Sequence, residues 1–339
     1  MKEGLYFGLS EDEYHALPCL SASGIKSLLI SPTDFWTWSW MNPNKPSGDT
    51  EARIIGTAYH KRILEGKDAF YNRYCYDFNP SDYPNMIKTM DDLKEELSKH
   101  GIAPKGKKSD YISTLLSVDP DAQIYDRIYS SWESQRGDKQ PLSAELIGRI
   151  EQAAAMIENH PQLSKCFSGG YPEVSVVWQE DGVPFKARFD YLKPNVVIDL
   201  KTFQNTMGKP IERAIYYACA SNKYHIQASF YLDRAMTKAI RFARDGKTHG
   251  EVSNDFITNL SKCTDPKFMF VFQQKGYASL ARGLIFPKNS MFLCGLAAID
   301  KAIEDFKEYR DIYGDSPWVD RSQILEMDDN LFPVFATEL

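Results

Sequence analysis

The sequence lacks the features that mark several broad classes of protein. No apolar run reaches the roughly 18 residues that a membrane-spanning helix needs, and the N-terminal stretch MKEGLYFGLSEDEY has no hydrophobic core of a secretory signal. The six cysteines are scattered and form no C-x-x-C pair, which argues against an iron–sulfur cluster or a thiolate zinc site. These absences predict a cytoplasmic protein that does not associate with membranes.

Overall positive charge is also missing. The formal net charge is -6, from 40 Lys and Arg against 46 Asp and Glu. This balance excludes a protein that binds nucleic acid through general basicity, so any DNA contact requires a groove lined with local positive charge. The 339 residues, 43% of them hydrophobic, are enough for one large α/β domain or a domain with a modest insertion.

The clearest β structure is predicted in the middle of the chain. The segments PEVSVVWQ, FKARFDYL and VVIDLKT are rich in β-branched and aromatic residues and are separated by short turns at 180–182 and 193–195. They predict a three-stranded meander. Helical patterns precede and follow it, a further hairpin is predicted around Gly276, and a long helix near the C-terminus. This order predicts a mixed central β-sheet flanked by helices, in the α/β class.

A polar, lysine-rich segment interrupts this pattern at residues 85–120. Thr89 and Asp92 form a capping-box pattern, and two short helical faces flank a basic turn. The chain therefore divides into a helical N-terminal part, 1–84, a helical insertion, 85–120, and the remaining core with its C-terminal helix, 121–339. The basic turn carries Lys105, Lys107 and Lys108, which either contact DNA phosphates or form a solvated turn on a structural hairpin.

Three tryptophans alternate in an early connecting segment. Trp36, Trp38 and Trp40 stand at every second position in DFWTWSWMNP. Such a run either stacks on nucleobases or forms a packed elbow between elements, and the packed elbow is favoured here.

One of the Asp-x-Lys motifs stands out by its context. The motif occurs five times, but only Asp199 and Lys201 lie inside an apolar strand, where alternation sends both to one face. Charge within an apolar strand costs on the order of several kcal/mol unless it is paired or bound to a metal. A plain ion pair is the simplest explanation of these two residues taken alone.

Asp190 in the preceding strand favours a metal instead. Through the short turn it can face Asp199, and two opposed carboxylates repel each other unless a cation lies between them. Glu173, at the start of the first strand, can bring a third carboxylate to the same edge, although a lone glutamate there is ordinary. Oxygen ligands suit Mg²⁺, and Lys201 can orient or deprotonate water and offset charge on phosphorus. The combination predicts metal-assisted phosphodiester hydrolysis.

These residues resemble the signature of the PDDEXK nuclease superfamily, in which an acidic residue precedes D and then (D/E)-x-K on a β-meander. Asp190, Asp199, Leu200 and Lys201 match it in order and spacing. More narrowly, the chain resembles the RecB-type branch that contains exodeoxyribonuclease VIII (RecE) and lambda exonuclease. That branch adds an upstream G-x-x-x-H, here Gly56–His60, and a downstream Q-x-x-x-Y, here Gln227–Tyr231.

The two added motifs also have a physical interpretation. Gly56 and His60 are one helical turn apart, so the missing side chain would let that helix approach closely while His60 projects toward the site, although a lone helical histidine is usually structural. Gln227 and Tyr231 share a helical face and would offer an amide and a phenol to a DNA strand or to Lys201.

The resemblance implies a fold and a set of site residues. The implied fold is a PDDEXK restriction-endonuclease-like core with a small helical insertion that resembles a SAP-type module. The implied cofactor is Mg²⁺, for which Mn²⁺ can substitute, held by Glu173, Asp190, Asp199, His60 and the backbone carbonyl of Leu200. Lys201, Gln227 and Tyr231 complete the implied catalytic set.

The N-terminal segment YHALPCLSASGIKSLL resembles the opening of RecE-type nucleases, where a serine-containing helix start lies near a DNA 5′-phosphate. Free N–H groups and the helix dipole bind anions at such a start. The candidates here are Ser21, Ser23 and Lys26. Simple N-capping explains either serine equally well.

The function implied by the resemblance is a Mg²⁺-dependent 5′-to-3′ exonuclease that acts on double-stranded DNA ends and leaves 3′ overhangs for recombination. It further implies a ring-shaped homo-oligomer, a trimer or tetramer, a RecT- or Bet-like single-strand annealing partner, and a bacterial or phage origin. Two alternatives stay open. One is an endonuclease or single-strand nuclease of the same superfamily, and the other is a catalytically inactive DNA-binding scaffold, disfavoured because the acidic residues and Lys201 are all present.

Overall fold

The structure is a computed structural model that describes residues 1–46, 50–103, 105–206, 208–276 and 278–321. Its centre is a seven-stranded mixed sheet of order β7-β1-β4-β5-β6-β8-β9, and a two-stranded sheet pairs β2 with β3. The strands are β1 (Gly4–Tyr6), β2 (Tyr74–Tyr76), β3 (Gln140–Leu142), β4 (Tyr171–Glu180), β5 (Val183–Lys193), β6 (Val196–Phe203), β7 (Thr248–His249), β8 (Lys267–Gln274) and β9 (Ala281–Phe286).

The predicted meander is formed by β4, β5 and β6, which pair antiparallel in sequence. The β4–β5 turn consists of Asp181 and Gly182, both with positive φ, 50° and 80°, as a short hairpin between twisted strands requires. β6 pairs parallel with β8, and β8 pairs antiparallel with β9, so the sheet is mixed and the predicted second hairpin is present. The meander and this hairpin are thereby confirmed.

Helices cover both faces of the sheet. They are α1 (Glu11–Ala16), α2 (Ala22–Leu28), α3 (Pro32–Trp38), α4 (Glu51–Leu64), α5 (Gly66–Arg73), α6 (Met90–Lys99), α7 (Lys108–Val118), α8 (Tyr125–Arg136), α9 (Ala144–Glu158), α10 (Ile211–Ser221), α11 (Tyr224–Ser229), α12 (Met236–Arg244), α13 (Asn254–Ser261) and α14 (Ser290–Tyr313). A π-helical turn, Phe230–Ala235, joins α11 to α12. Within the described ranges, no helix has the length and apolarity to cross a membrane.

Two hydrophobic cores lie on opposite sides of the sheet. The principal core contains Val197 of β6 together with residues of α2, α3 and α11 to α14. A smaller core joins Ile198 and Leu200 of β6 to Leu64 of α4 and Ile157 of α9. The predicted alternation of β6 and the predicted helix-flanked mixed sheet are both confirmed.

The lysine-rich segment folds as two helices, α6 and α7, with a small core of its own, formed by Leu93, Leu97, Leu115 and Ile124. The predicted capping box is present, since Thr89 Oγ1 accepts from Asp92 N at 3.1 Å and Asp92 Oδ2 accepts from Thr89 N at 2.8 Å. The boundaries at residues 85 and 120 stay a prediction.

The role expected for Gly56 is wrong. A Cβ atom built on Gly56 would meet no heavy atom within 4 Å, so the missing side chain does not serve close packing of α4. Gly56 instead lines the cavity described below. The close helix approach occurs at Gly295 of α14, where a Cβ would lie 2.8 Å from Ser229 Cβ.

Candidate functional site

Three elements bring together a group of potential metal ligands. α4 carries His60, β4 carries Glu173 and β5 carries Asp190, and one ligand atom from each lies within 4.8 Å of the others. His60 Nδ1 is 3.7 Å from Asp190 Oδ2. Glu173 and Asp190 lie opposite each other on the neighbouring strands β4 and β5, because the residue pairs Pro172–Tyr191 and Val174–Phe189 flank them. In the part of the chain that the structure describes, this is the one group of three or more such residues.

The backbone is distorted at this level of the sheet. Glu173 has a φ of 53°, which is unfavourable for any residue other than glycine and costs on the order of 1 kcal/mol or more. In the neighbouring strand, Phe189 and Leu192 both pack into the principal core, although strict alternation would place them on opposite faces. Such distortions re-aim side chains and cluster at functional sites. Here the distortion lies at Glu173 and beside Asp190.

Asp199 and Lys201 form a buried pair beside this group. Lys201 Nζ lies 2.5 Å from Asp199 Oδ1, and the two side chains are 17% and 1% exposed. Gln227 Nε2 donates a 2.7 Å hydrogen bond to Asp199 Oδ2. Both oxygens of Asp199 are therefore engaged, and Asp199 is not among the three mutually close ligand residues.

Leu200 links the two parts through its backbone. Its N–H donates a 2.8 Å hydrogen bond to Asp190 Oδ2, which replaces a rung of the β5–β6 ladder. Its backbone also forms a hydrogen bond with the His60 imidazole, and because the Leu200 N–H is already engaged, the Leu200 carbonyl is the acceptor. The Leu200 carbonyl thus faces the ligand group.

Burial and mutual repulsion shift the protonation of the acidic residues. The pKa of Glu173 is raised to about 8, mainly by burial and secondly by repulsion from the Asp190 carboxylate. Burial, followed by Asp190, also raises the pKa of Asp199 to about 6, and burial raises the pKa of Asp190. Desolvated carboxylates close together are what a bound cation stabilises, so the donor set fits a hard divalent cation.

His60 completes that donor set in the correct protonation state. Burial and the nearby Lys201 lower the pKa of His60 to about 4, so its ring is neutral at pH 7. A neutral imidazole is the form that binds metals.

Lys201 is charged in this arrangement. Burial alone would lower the pKa of its amine, but Asp199 and Asp190 outweigh burial and raise it above the usual value. A protonated lysine donates protons and offsets negative charge, whereas it accepts none. As a charged ammonium, Lys201 is placed to orient water.

Gln227 and Tyr231 lie together as their spacing predicts. The amide contacts Asp199, and the phenol of Tyr231 shares a hydrogen bond with Gln227. Tyr231 is buried among Phe189 and Phe268. The π-helical turn begins directly after α11, and single π-helical turns are frequent at functional sites.

A cavity of about 1690 Å³ opens onto these residues. His60, Glu173, Asp190, Gln227 and Tyr231 line it together with the predicted phosphate-binding residues Ser21, Ser23 and Lys26. Its other basic lining residues are Lys45, Arg53, Lys61, Arg73, Lys186 and Arg188. Seven lysine and arginine side chains thus line the cavity against five acidic ones, Glu11, Glu65, Glu173, Asp190 and Glu251, so its charge balance is positive although that of the whole chain is negative.

The start of α2 behaves as a capped helix terminus. Ser21 Oγ accepts from Gly24 N at 3.4 Å and lies 2.9 Å from Ser23 Oγ. Lys26 Nζ donates to Asn222 O at 3.4 Å and lies 5.7 Å from the Tyr224 ring centroid. Lys201 Nζ is 5.1 Å from the same ring, so two ammonium groups share one aromatic residue. Burial, followed by the charge of Lys201, lowers the pKa of Lys26.

The lysines of the insertion are separate from this cavity. Lys105, Lys107 and Lys108 are absent from its lining. Lys108 Nζ lies 2.5 Å from Asp126 Oδ2 of α8. The structure therefore does not bring these lysines together with the candidate site.

Sequence reasoning missed several contributors. Arg188 reaches Glu173 Oε2 at 3.7 Å and donates to the Leu9 and Ser10 carbonyls at 2.7 and 3.0 Å. Lys186 donates to the Tyr14 and Leu17 carbonyls, each at 2.9 Å. One signal could have found both residues: charges recur at positions 186, 188 and 190, the period-2 pattern of one strand face. Tyr224 carries no such signal.

The tryptophan run only partly forms a packed elbow. Trp36 and Trp40 pack against the principal core, whereas Trp38 is 58% exposed and lines the cavity.

Comparisons with known proteins find a matching family model and a similar solved structure. The model of a family described as "PDDEXK-like domain of unknown function (DUF3799)" matches residues 21–241. The chain is also similar to a crystal structure from Eubacterium rectale, provisionally described as an exonuclease, with 14% identity, a TM-score of 0.49, and coverage of 97% of this chain and 99% of that one. A search of curated proteins finds no match.

Proposed function

The chain belongs to the family of PDDEXK-like domains of unknown function, and on this basis we propose that it is a metal-dependent nuclease that hydrolyses phosphodiester bonds in DNA. One observation carries the proposal. His60, Glu173 and Asp190 form a potential metal-binding group beside the buried Asp199–Lys201 pair, and they line a cavity to which seven lysine and arginine side chains also contribute. Carboxylates for a cation next to cations for a phosphate are the pairing that metal-assisted phosphodiester hydrolysis requires.

The size of the cavity supports a polymeric substrate. Small-molecule sites measure roughly 300–1,000 Å³. The cavity here has about 1690 Å³, and its lining runs from α2 and α3 across α4 to β4 and β5. A strand of nucleic acid fits this extended basic lining better than a small metabolite does.

We assign the following roles to the site residues. Glu173, Asp190 and His60 hold the metal ion, and the Leu200 carbonyl, which faces this group, adds to its ligands. Asp199 holds the Lys201 ammonium and would offer a further carboxylate to the metal. Gln227 fixes the orientation of Asp199, and Tyr231 supports Gln227. A divalent cation, Mg²⁺ with Mn²⁺ as a substitute, supplies Lewis-acid polarisation of the phosphodiester.

Lys201 then acts as a cation. Its ammonium orients the attacking water and stabilises the negative charge that develops on the phosphate oxygens. Lys26 lies near the same Tyr224 ring as Lys201 and would bind a second phosphate.

The finer proposal concerns polarity. A 5′-to-3′ exonuclease on duplex ends needs a site for the terminal 5′-phosphate. We assign that phosphate to Ser21, Ser23 and Lys26, which line the same cavity as the ligand group. The resulting 3′ overhangs would enter recombination.

We further propose the assembly that accompanies this activity in the resembling enzymes: a ring-shaped trimer or tetramer that encloses duplex DNA, and a RecT- or Bet-like single-strand annealing partner in the cytoplasm of a bacterium, with a bacterial or phage origin. Lys105, Lys107 and Lys108 of the insertion would contact phosphates outside the cavity. Light scattering on the purified protein measures the number of subunits directly.

A digestion assay tests the proposed activity. Linear duplexes labelled at either end, with 5′-phosphate or 5′-hydroxyl termini, are incubated with Mg²⁺, Mn²⁺, Ca²⁺ or EDTA beside closed circular DNA. We expect Mg²⁺-dependent release of nucleotides from 5′-phosphorylated linear ends and no cutting of circles. Replacing one transition-state cation typically costs about 10²–10³-fold in rate, so K201A should lose at least that much.

The chain offers a matched control for K201A. Asp265 and Lys267 form the same Asp-x-Lys motif with the same 2.5 Å contact, but their side chains are 62% and 60% exposed. K267A should digest DNA at the wild-type rate. Cutting of circular DNA would instead favour the endonuclease alternative, and DNA binding without any cleavage would favour the inactive scaffold.

A further inference from the structure

Trp38 is an unusually placed aromatic residue. Its side chain is 58% exposed, it lines the cavity, and within the described residues its ring has no aromatic, cation–π or hydrogen-bonded partner. Tryptophan is on average highly buried, so an exposed indole in the wall of a cavity is a candidate for ligand contact.

The helix that carries Trp38 is held firmly. Phe35 is 3% exposed and lies 5.3 Å from the Trp318 ring and 5.7 Å from the Phe306 ring. Trp36 Nε1 donates a 3.0 Å hydrogen bond to the Asp315 carbonyl. α3 is thus fixed against the principal core, while Trp38, its last residue, stays exposed. A rigidly mounted aromatic surface binds at a lower entropic cost than a mobile one.

The surroundings of Trp38 indicate what would stack on it. Lys45 and Arg53 line the same cavity as Trp38 and the Glu173–Asp190 group. Proteins that hold a nucleic acid strand combine such a cationic groove for the backbone with aromatic side chains for the bases. In a duplex each base is covered by its neighbours, so an indole can reach only an unpaired base or the terminal pair.

The depth of the candidate site favours an unpaired base. The side chains of Asp190 and Lys201 are 16% and 17% exposed, so the phosphate on which they would act must descend below the protein surface. One strand can do this once its nucleotide has separated from the complementary strand.

We propose that Trp38 stacks on an unpaired nucleobase of the strand being cut, and that this wall of the cavity therefore receives a separated DNA strand. This inference rests on the proposed nuclease function and adds the form in which the substrate enters. Opening a terminal base pair has an energetic cost, so duplexes with a short unpaired 5′ end should be digested faster than fully paired blunt ones.

Binding of matched DNA ends tests Trp38 directly. Two 5′-phosphorylated duplexes with short unpaired 5′ ends are compared, one with normal bases and one with abasic sites in the unpaired part, in EDTA so that no cleavage occurs. Stacking of one base is typically worth 1–3 kcal/mol, so the wild type should prefer the normal end by about 5- to 150-fold. W38A should bind both ends equally, and W38F should restore part of the preference.

Tyr216 provides the control. It is 61% exposed on α10 and does not line the cavity, so Y216A should keep the full preference for normal bases. Thermal melting checks the fold of W38A, and because Trp38 is exposed we expect its melting temperature to match that of the wild type. A wild-type preference that W38A retains, or a wild type without any preference, would overturn the stacking proposal.

DNA digestion distinguishes failure of the stacking proposal from failure of the nuclease proposal. If the wild type digests DNA with Mg²⁺ and K201A does not, the nuclease proposal stands whatever W38A does. If the wild type neither binds nor digests any DNA, both proposals fail.

Discussion

The hydrogen bond from Gln227 is the contact on which the orientation of Asp199 depends. Asp199 is 1% exposed, and burial raises its pKa to about 6, so the ionised form exists near neutral pH only with partners. Removing one partner of a buried charged group costs about 1–3 kcal/mol. We therefore expect Q227A to lower the free energy of unfolding by that amount.

The cost should depend on pH in a defined direction. The amide stabilises the carboxylate more than the protonated acid, because a hydrogen bond to an ionised acceptor is stronger, so the deficit of Q227A in urea unfolding should be larger at pH 8 than at pH 5. Q135A, which removes an exposed amide with a 3.3 Å bond to Ser131 Oγ, is the control. Equal stability of the two variants at pH 8 would contradict the assignment.

The raised pKa values of Glu173 and Asp199 predict how the metal-free protein responds to pH. Each value, about 8 and about 6, lies above that of a carboxyl in the unfolded chain, so the folded protein holds more protons between about pH 4.5 and 8. Its free energy of unfolding should fall as pH rises through this range, by at most about 1.4 kcal/mol per pH unit for each group. Added Mg²⁺ should offset this loss, because carboxylates bind metal deprotonated.

Melting temperatures in EDTA and in Mg²⁺ from pH 5 to 8.5 measure this response. E173Q should flatten the decline in EDTA, whereas E96Q, which alters a half-buried glutamate of α6 paired with Lys99, should not. Metal-free protein that is equally stable across the range would show that the two carboxylates are not desolvated as described.

At the scale of secondary-structure elements, two helical glycines should respond to alanine in opposite ways. A Cβ on Gly295 would lie 2.2 Å from Ser229 Oγ and 2.9 Å from the His225 carbonyl, where α14 packs on the helix that carries Gln227. Overpacking of this kind costs about 1–3 kcal/mol, so G295A should lower stability and DNA cleavage together.

Gly56 provides the opposite case. Its Cβ would meet nothing within 4 Å, and replacing glycine by alanine inside a helix gains up to about 1 kcal/mol. G56A should therefore be at least as stable as the wild type in urea unfolding, and any effect on cleavage must come from a methyl group in the cavity. A loss of stability in G56A as large as that in G295A would contradict this account.

The elements also show which parts of the site the sequence can predict. The register that places Asp190 opposite Asp199 follows from the short turn between β5 and β6, and the burial of Asp199 follows from alternation. The contact of Gln227 with Asp199 follows only from resemblance, because nothing local sets the distance between β6 and α11. The left-handed φ of Glu173 is imposed by the tertiary structure and leaves no signal in the sequence.

The tryptophans show a different limit. Alternating positions suggest an extended segment, but Pro32–Trp38 is helical and Ser31 caps it, accepting from Asp34 N at 2.9 Å. In a helix, Trp36 and Trp38 are rotated by about 200° from each other, so they do not share a face; Trp36 packs on the core, whereas Trp38 at the end of the helix is exposed. The capping signal at Ser31 involves residues close in sequence and would have predicted α3. The position of Trp38 in the cavity wall depends on residues distant in sequence and could not be predicted in this way.

At the scale of the whole molecule, the charge balance of the cavity lining differs in sign from that of the whole chain. The formal net charge is -6, but seven lysine and arginine side chains line one cavity. They come from α2, the segment after α3, α4, α5 and β5, so only the fold brings them together. A salt-dependent interaction with DNA should accordingly arise from particular basic residues and not from the molecule as a whole.

The salt dependence of DNA binding can separate the cavity from the insertion. Each protein–phosphate contact contributes a slope of about −0.9 to log K against log salt concentration. If Lys105 and Lys107 each contact one phosphate, K105A/K107A should reduce the magnitude of the slope by about 1.8, and the cleavage rate at saturating DNA should stay unchanged because both residues lie off the cavity.

The insertion also contains the control. K94A/K99A removes the same number of charges from the same segment, but these lysines lie 2.9 Å from Asp91 and 2.7 Å from Glu96. The slope should therefore change little. Equal slopes for both double variants and the wild type would assign the basic turn to solvent, and DNA binding would then depend on the cavity, where K26A should lower the slope by about 0.9.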